Sequence, residues 1–301
     1  MMNDQFNVLN LPDEMLHITL SGGMVRVLLC RTTAMARKAA EIHAPSSTAL
    51  AAMSRLMTAA TMLGVMMKDD QASVTVTVAG DGPAGKLTAV AHGPRVKVSM
   101  MHPEADLPLK KDGHLDVGGL VGHKGRLTVI KDLGMKEPYV GQCALVSGEL
   151  GEDFAQYFTV SEQKPSLVAL GALVHERSCL SAGGVLVQPM PNCPEELIEQ
   201  LEVRSMFFTA ISREVADVPL EELATLWFDG LDMKILSREK VAYQCDCSRD
   251  KMEKALVALG RQELRQLIEE DGGAELTCHF CRTVHQFSKD DLLDLWERAT
   301  R

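Results

Sequence analysis

The segments YQCDCSRDKM (residues 243–252) and LTCHFCRTV (residues 276–284) determine how the end of this chain can fold. They carry two close cysteine pairs, with 30 residues between the second and third cysteines: Cys245, Cys247, Cys278 and Cys281. Four thiolates from two short turns are the ligand set that tetrahedral zinc requires. Residues 245–301 number only 57, which is few for a hydrophobic core. We therefore expect one Zn²⁺ per chain to hold a small C-terminal domain together.

The cysteine spacing leaves three interpretations of this site open. The first is a permanent zinc staple in a protein-interaction module. The second is a dithiol oxidoreductase that uses Cys278 and Cys281, although this CxxC does not begin a helix of a βαβ unit and the CxC pair would have no role. The third is a redox switch, because zinc keeps cysteines as the thiolates that oxidants attack, and each cysteine has a resolving partner one or two residues away.

A redox switch at this site would also change the fold. The binding free energy of structural zinc, about 10–16 kcal/mol, is largely folding free energy, so losing the metal should unfold a domain of this size. A disulfide between cysteines one residue apart closes a strained ring, which should be easily reduced again, as a reversible switch requires.

The residues around the cysteine pairs predict regular elements. Ser248 can cap a first helix, the apolar residues within 264–268 indicate a second, and VHQF (residues 284–287) is typical of a strand. Ser288 and Asp291 form a capping-box pattern for a final helix.

Other metal ligands and thiols have weaker claims. His279 and His285 flank the second pair and are alternative ligands, although four cysteines already complete a zinc site. The remaining cysteines are scattered along the chain: Cys30, Cys143, Cys179 and Cys193. The first three are predicted to be buried, inert thiols, since free cysteine packs as a small hydrophobic residue.

Residues 1–190 mix strand and helix patterns. MVRVLL (residues 24–29) is typical of a buried strand, residues 46–67 of a helix, and SVTVTVAG (residues 73–80) of a half-buried antiparallel strand that opens a β-meander. We predict an α+β fold: a strand-rich N-terminal domain with packed helices (1–190), a helical linker (191–244) and a small C-terminal zinc-binding domain (245–301).

The predicted linker has an unusual composition. Three prolines in residues 189–196 mark its start, and residues 193–244 hold 11 acidic and 5 basic side chains together with Phe207, Phe208 and Trp227. Such a segment is either a solvated helix pair with one face on a core or a marginally stable element that detaches when its support is lost.

Composition excludes several classes of protein. The formal charge of −10 repels phosphate backbones, so we expect no nucleic-acid partner. The N-terminus has no basic region followed by an apolar run, and residues 46–67 contain Arg55 and small polar residues, so we expect no secretory signal and no membrane span. The default compartment is the cytoplasm, where thiols stay reduced. No nucleophile–base or phosphate-loop motif is present, so we expect no enzyme.

Nearly the whole chain resembles the heat-shock protein 33 family of redox-regulated bacterial chaperones. The central resemblance lies in VGHKGRLTVIKDLGMKEPYVGQ (121–142), LVSGELGEDFAQYFTVSEQKPSLVALG (145–171) and GGVLVQPMP (183–191). CDCSRDKMEKALVALG (245–260) and CHFC (278–281) resemble the C-terminal zinc site of the family and are its most specific signatures.

The resemblance implies a holdase that is inactive while reduced and zinc-bound. Oxidation would join Cys245 to Cys247 and Cys278 to Cys281, expel zinc, and unfold first the zinc domain and then the linker. The active form would be a homodimer that binds unfolding client proteins without ATP and passes them to ATP-dependent chaperones when reducing conditions return.

Two further hypotheses accompany this scheme, and packing of the linker aromatic residues in a core is also expected in the reduced state. The acidic charge of the linker would keep it in solution when unfolded, while Phe207, Phe208 and Trp227 would contact apolar clients. Cys193, beside the linker, is a candidate for additional disulfides under strong oxidation.

Overall fold

The computed structural model describes residues 11–298 except 68 and 70. The chain divides into two units, Met1–Gln244 and Cys245–Arg301, which are described separately below.

The strands and helices of the first unit follow one another as in an α+β fold. The strands are β1 (Glu14–Leu20), β2 (Val25–Arg31), β3 (Ser73–Ala79), β4 (Lys86–His92), β5 (Arg95–Met100), β6 (Arg126–Asp132), β7 (Tyr139–Ala144), β8 (Leu167–His175), β9 (Ser178–Pro189), β10 (Lys234–Lys240) and β11 (Ala242–Tyr243). The helices are α1 (Thr33–His43), α2 (Ser47–Val65), α3 (Val117–Val121), α4 (Gly151–Val160), α5 (Glu195–Arg204), α6 (Ile211–Asp217) and α7 (Leu220–Trp227), with 3₁₀ turns at Ser21–Gly23 and Ser205–Ala210.

The alternation of valine and threonine in β3 produces a half-buried strand at the centre of a six-stranded sheet. The strand order is β11-β5-β4-β3-β6-β7, and all neighbours are antiparallel except β11, which pairs with β5 in parallel. Val74, Val76 and Val78 are buried, whereas the threonines between them are partly exposed on the other face. The predicted meander is confirmed.

A second sheet of five antiparallel strands has the order β10-β1-β2-β9-β8. One of its faces joins the core that α1 and α2 share with the six-stranded sheet, through residues such as Met15, Leu28 and Cys30. Along the same strands the alternate residues, such as Leu16, Ile18 and Leu29, belong to a separate apolar cluster on the opposite face.

The long helix α2 is the centre of the main core. The side chain of the N-cap residue, Ser46, accepts a hydrogen bond from the Ala49 N–H, and 17 of the 19 residues of α2 are buried. Within the described residues it is the single helix long and apolar enough to cross a membrane, yet 89% of the window tested is buried inside the protein. Such extensive burial inside the protein is typical of a core helix.

Residues 191–244, which we call the linker segment, cover the second face of the five-stranded sheet with helices α5, α6 and α7. The sheet contributes the apolar side chains Leu16, Ile18, Leu20, Val25, Val27, Leu29, Val185 and Val187 to this contact. The linker segment contributes Leu197, Leu201, Phe208, Ile211, Val215, Leu220, Leu223, Trp227 and Phe228. A large apolar surface of the sheet is therefore covered by an acidic helical segment.

The linker segment is not helical throughout. Its strand β10 pairs with β1, and the side chains of β10 are mostly exposed. The sequence KILSREK gives no strand pattern of its own, so only the pairing with β1 defines this element. Strands β1 and β8 were also not predicted; in β8, LVALGALVH is a short apolar run whose periodicity does not distinguish a strand from a helix.

The second unit consists of α8 (Arg249–Leu259), α9 (Arg261–Gln266), a π-helical turn (Leu267–Asp271), strands β12 (Gly273–Thr277) and β13 (Val284–Ser288), and α10 (Lys289–Arg298). β12 and β13 form an antiparallel hairpin. The fully buried core comprises six apolar side chains: Leu256, Leu264, Ile268, Phe287, Leu292 and Leu295. The predicted helices and strand of this unit are confirmed, and its core is small.

A buried carboxylate organises the loop before α4 in the first unit. Asp153 is completely buried, and its oxygens accept hydrogen bonds from the backbone N–H groups of Val146 at 2.7 Å, Ser147 at 3.2 Å and Leu150 at 3.0 Å. Burying a charge is unfavourable unless hydrogen-bond donors surround it. The loop therefore stabilises the buried carboxylate, and the carboxylate in turn fixes the conformation of the loop.

Replacing this carboxylate tests its role in the core. We expect Asp153→Ala to lower the free energy of unfolding of the first unit by about 3 kcal/mol, because several backbone N–H groups, partly or fully buried, lose their acceptor. The neighbouring exposed Glu152 provides the control, and Glu152→Ala should change stability by less than about 0.5 kcal/mol in the same urea denaturation experiment. Equal stability of the two variants would contradict this account.

Candidate metal centre

The first cysteine pair lies in extended chain directly before α8. The hydroxyl of Ser248 accepts a hydrogen bond from the Lys251 N–H, so Ser248 caps α8 as the sequence predicts. This cap fixes where the helix begins and thereby holds Cys247 immediately outside its first turn. Cys245 stands two residues earlier in the same extended segment.

The second cysteine pair lies in the tight turn between β12 and β13. The Cys278 N–H donates to the Thr283 carbonyl at 2.9 Å, and the Arg282 N–H donates to the Cys278 carbonyl at 2.9 Å. Arg282 adopts a left-handed conformation with φ of 59°. These bonds close the turn and direct Cys278 and Cys281 to the same place.

The four sulfur atoms come together in one group. Their Sγ atoms lie within 4.8 Å of one another, with 3.8 Å between Cys245 and Cys278 and 3.2 Å between Cys247 and Cys281. Zn–S bonds of about 2.3 Å in a tetrahedron place sulfur atoms about 3.8 Å apart. The four residues therefore fit a tetrahedral metal ion, and a set of four thiolates suits zinc.

Three thiols of this group differ in pKa. Burial raises the pKa of Cys281, but hydrogen bonds, first of all from the hydroxyl and N–H of Thr283, outweigh burial and lower that pKa to about 6. Burial raises the pKa of Cys245 to about 11 and, together with hydrogen bonding to Cys281, raises the pKa of Cys247. A thiolate at Cys281 thus opposes ionisation of Cys245 and Cys247, and a bound metal cation would offset that repulsion.

The alternative ligands do not join this group. In the part of the chain that the structure describes, the metal-ligand cluster consists of the four cysteines, without His279 or His285. His285 lies on β13, where it pairs with Leu276 of β12.

Three of the four scattered cysteines are buried, as predicted. Burial raises the pKa of Cys143 to about 11 and that of Cys179 to about 12, and it raises the pKa of Cys30 well above its usual value. These thiols are therefore protonated and unreactive at neutral pH. Cys193 is a partly exposed free thiol at the start of the linker segment.

The three aromatic residues singled out in the linker segment have different environments. The rings of Phe208 and Trp227 pack with centroids 5.0 Å apart and are almost completely buried, whereas Phe207 is 44% exposed. Of these three aromatic side chains, Phe207 is therefore the one that is exposed at the surface.

Two residues that support the cysteine group were not predicted from the sequence. The Thr283 hydroxyl lies 3.2 Å from Cys281 Sγ; the signal for it was a threonine two positions after the last cysteine. Arg249 stacks on the Phe287 ring at 4.4 Å and pairs with Asp291 at 2.9 Å, which ties α8 to β13 and α10. No local sequence pattern predicts these contacts of Arg249.

Comparisons with known proteins agree on one family. The model of the family described as Hsp33 protein matches residues 13–288. The "33 kDa chaperonin" of Clostridium perfringens (strain SM101 / Type A) is 42% identical over 293 residues, covering 96% of this chain and 93% of the relative. That of Clostridium botulinum (strain Eklund 17B / Type B) is 40% identical over 292 residues, covering 96% and 99%. The crystal structure of the 33 kDa chaperonin (heat shock protein 33 homolog) from Thermotoga maritima superimposes with a TM-score of 0.86 at 30% identity, covering 96% of this chain and 99% of that chain.

Removing one sulfur tests the metal centre. We expect the reduced chain to hold about one zinc per molecule and Cys278→Ser to hold almost none, because three thiolates lose the fourth ligand of a closed site. Cys143→Ser, which alters a buried thiol outside the group, is the control and should keep its zinc. Zinc is measured with a metal-sensitive dye after complete protein hydrolysis. Retention of zinc by Cys278→Ser would contradict the assignment of the site.

Proposed function

Since this chain belongs to the Hsp33 family of chaperones, we propose that it is an ATP-independent holdase that oxidation activates through Cys245, Cys247, Cys278 and Cys281. Its relatives carry the name of a chaperonin and not that of an enzyme. In this proposal the protein binds unfolding client proteins, prevents their aggregation and catalyses no reaction.

The observation that carries the proposal is the group of four sulfurs within 4.8 Å of one another, built from two pairs that are also neighbours in sequence. In reduced cells Zn²⁺ would occupy this group and would contribute the folding free energy that the six-residue core of the second unit lacks. The same pairs would then be the sites of oxidation.

Oxidation would remove all four ligands at once. Each pair of thiolates gives two electrons to an oxidant such as hydrogen peroxide, forms one S–S bond and, with two protons, leaves two molecules of water per peroxide. The sulfur distances alone permit pairing across the two turns. We favour Cys245–Cys247 and Cys278–Cys281, because neighbours in sequence stay close when the metal leaves and the unit unfolds, whereas cross-pairs separate.

Unfolding of the second unit would then destabilise the linker segment. Cys245 directly follows Gln244, so β10 and β11 would lose the folded unit at their C-terminal end. If the linker segment detached, the apolar face of the five-stranded sheet and the buried rings of Phe208 and Trp227 would become accessible. An apolar surface of this kind is what an unfolding client can bind.

Several partners and conditions complete the proposed cycle. The oxidised chain would act as a homodimer in the cytoplasm, and reduction would return clients to ATP-dependent chaperones. The acidic linker segment would remain in solution when unfolded because of its net negative charge. Nucleic acids and membranes are not proposed as partners.

One paired measurement tests this function. Zinc content and suppression of the aggregation of a heat-denatured client are measured on the same sample, before and after treatment with peroxide at mildly elevated temperature or with hypochlorous acid. We expect about one zinc per chain and weak suppression before oxidation, and released zinc with strong suppression afterwards.

The alternatives predict different results in the same experiment. Full suppression by the reduced, zinc-bound chain would identify a constitutive zinc-stapled interaction module. Turnover of a disulfide substrate would identify a dithiol oxidoreductase. Either outcome overturns the proposed switch.

The aromatic side chains of the linker segment are the proposed client contacts. We expect Phe207→Ala to weaken client binding by the oxidised chain about tenfold, the effect of removing one contact of aromatic size, without altering zinc release. Phe208→Ala and Trp227→Ala should act similarly but also loosen the linker segment in the reduced state, since both rings are buried. Leu109→Ala, an exposed apolar residue outside the segment, serves as the control. Unchanged client affinity in all three aromatic variants would reject this role.

A further inference from the structure

Arg31, the last residue of β2, has one of the largest fully buried side chains in the protein, with 2% of its surface exposed. Burial lowers the pKa of this guanidinium from its usual value, while the nearby carboxylates of Glu14 and Asp13 raise it. A buried charge is unfavourable unless hydrogen-bond acceptors replace water around it. The acceptors of Arg31 therefore explain its position.

Two of these acceptors belong to the linker segment. The Arg31 Nε donates to the Val215 carbonyl at 2.6 Å, and Nη2 donates to the Val218 carbonyl at 2.6 Å. The third donor, Nη1, lies 3.4 Å from the Pro12 carbonyl. The guanidinium of Arg31, on β2 of the five-stranded sheet, thus bonds to two carbonyls at the end of α6.

These two carbonyls need a partner from outside their own helix. The residue four positions after Val215 is Pro219, which has no N–H to donate, and Val218 lies beyond the last residue of α6 in extended conformation. Without Arg31 the buried Val215 carbonyl and the partly buried Val218 carbonyl would both lose this partner. The fork of an arginine can satisfy both at once, which a lysine cannot.

A second arginine joins the same two parts of the protein in the opposite direction. Arg238, on β10 of the linker segment, pairs with Glu14 of β1 at 3.0 Å and with Glu221 of α7. The Glu14 side chain is only 8% exposed. Arg31 of β2 therefore bonds to the linker segment, and Arg238 of the linker segment pairs with Glu14 of β1.

We propose that Arg31 is the latch that keeps the linker segment docked, so that the docked state depends on this contact as well as on zinc. The apolar contacts of Ile211 and Val215 with the sheet are non-directional, whereas the two Arg31 bonds fix where α6 ends. When the segment detaches, water replaces the carbonyls around the guanidinium, so undocking leaves no buried charge unpaired. The latch rests on the proposed function only in assigning chaperone activity to the undocked segment.

Hydrogen exchange of the reduced, zinc-loaded full-length chain tests the latch. Arg31→Met keeps much of the side-chain volume but loses the donors, and we expect amides of α5, α6 and α7 to exchange about 100-fold faster, the effect of two lost bonds to a charged group. Arg31→Lys, which keeps the charge without the fork, should accelerate them about tenfold. Zinc should remain at about one per chain in both variants.

The matched control is Arg37→Met. Arg37 also donates to two backbone carbonyls, those of Cys179 at 2.9 Å and Leu180 at 3.2 Å, but both lie within the core sheet. This variant should leave the exchange of α5, α6 and α7 unchanged. Unaltered exchange of these helices in Arg31→Met, or an equal acceleration in β3, β4 and β6 that marks global destabilisation, would overturn the latch.

Suppression of client aggregation by the same samples separates the latch from the proposed function. We expect zinc-loaded, reduced Arg31→Met to suppress aggregation more strongly than the reduced wild-type chain does. Fast exchange of the three helices without suppression would leave the latch standing and would count against the proposed holdase. Suppression with slow exchange would overturn the latch and leave the holdase in place.

Discussion

Repulsion among four thiolates is the constraint on which the C-terminal unit depends. Two unit charges about 4 Å apart repel by about 4 kcal/mol at an effective dielectric constant of about 20, and four sulfurs within 4.8 Å form six such pairs. A divalent metal ion converts this repulsion into attraction. Without the metal the sulfurs can remain close only as thiols or as disulfides, so the chemical state of the cysteines and the fold of the unit are linked.

The small core of the unit makes this link strong. Six buried apolar side chains provide little stabilisation on their own, and exposed ion pairs such as that between Lys254 and Asp250 add little. The first unit differs, because α2 and two sheets give it a much larger apolar core. The first unit therefore has a large apolar core of its own, whereas the second combines a small apolar core with a group of four cysteines. Within the first unit, the linker segment is held to the five-stranded sheet partly by apolar contacts and partly by the buried charges of Arg31 and Glu14.

The sequence predicts those features that local patterns determine. The valine–threonine alternation of β3, the Ser248 cap and the paired spacing of the cysteines each have a local physical cause, and each matches the structure. Strand β10 has charged, exposed side chains and exists only through pairing with β1. Arg31 bonds to a carbonyl 184 residues away, so its role is set by tertiary contacts that no local pattern encodes. The group of four cysteines could thus be predicted from the sequence, whereas the contacts that hold the linker segment could not.

Hydrogen exchange before and after oxidation tests most directly whether the metal centre controls the linker segment. Zinc release and amide protection are followed in one sample of the wild-type chain during treatment with peroxide. We expect α8 and α10 to lose protection as zinc leaves, α5, α6 and α7 to lose protection next, and β3, β4 and β6 to keep theirs. Full protection of α5, α6 and α7 after complete zinc release and disulfide formation would contradict this expectation.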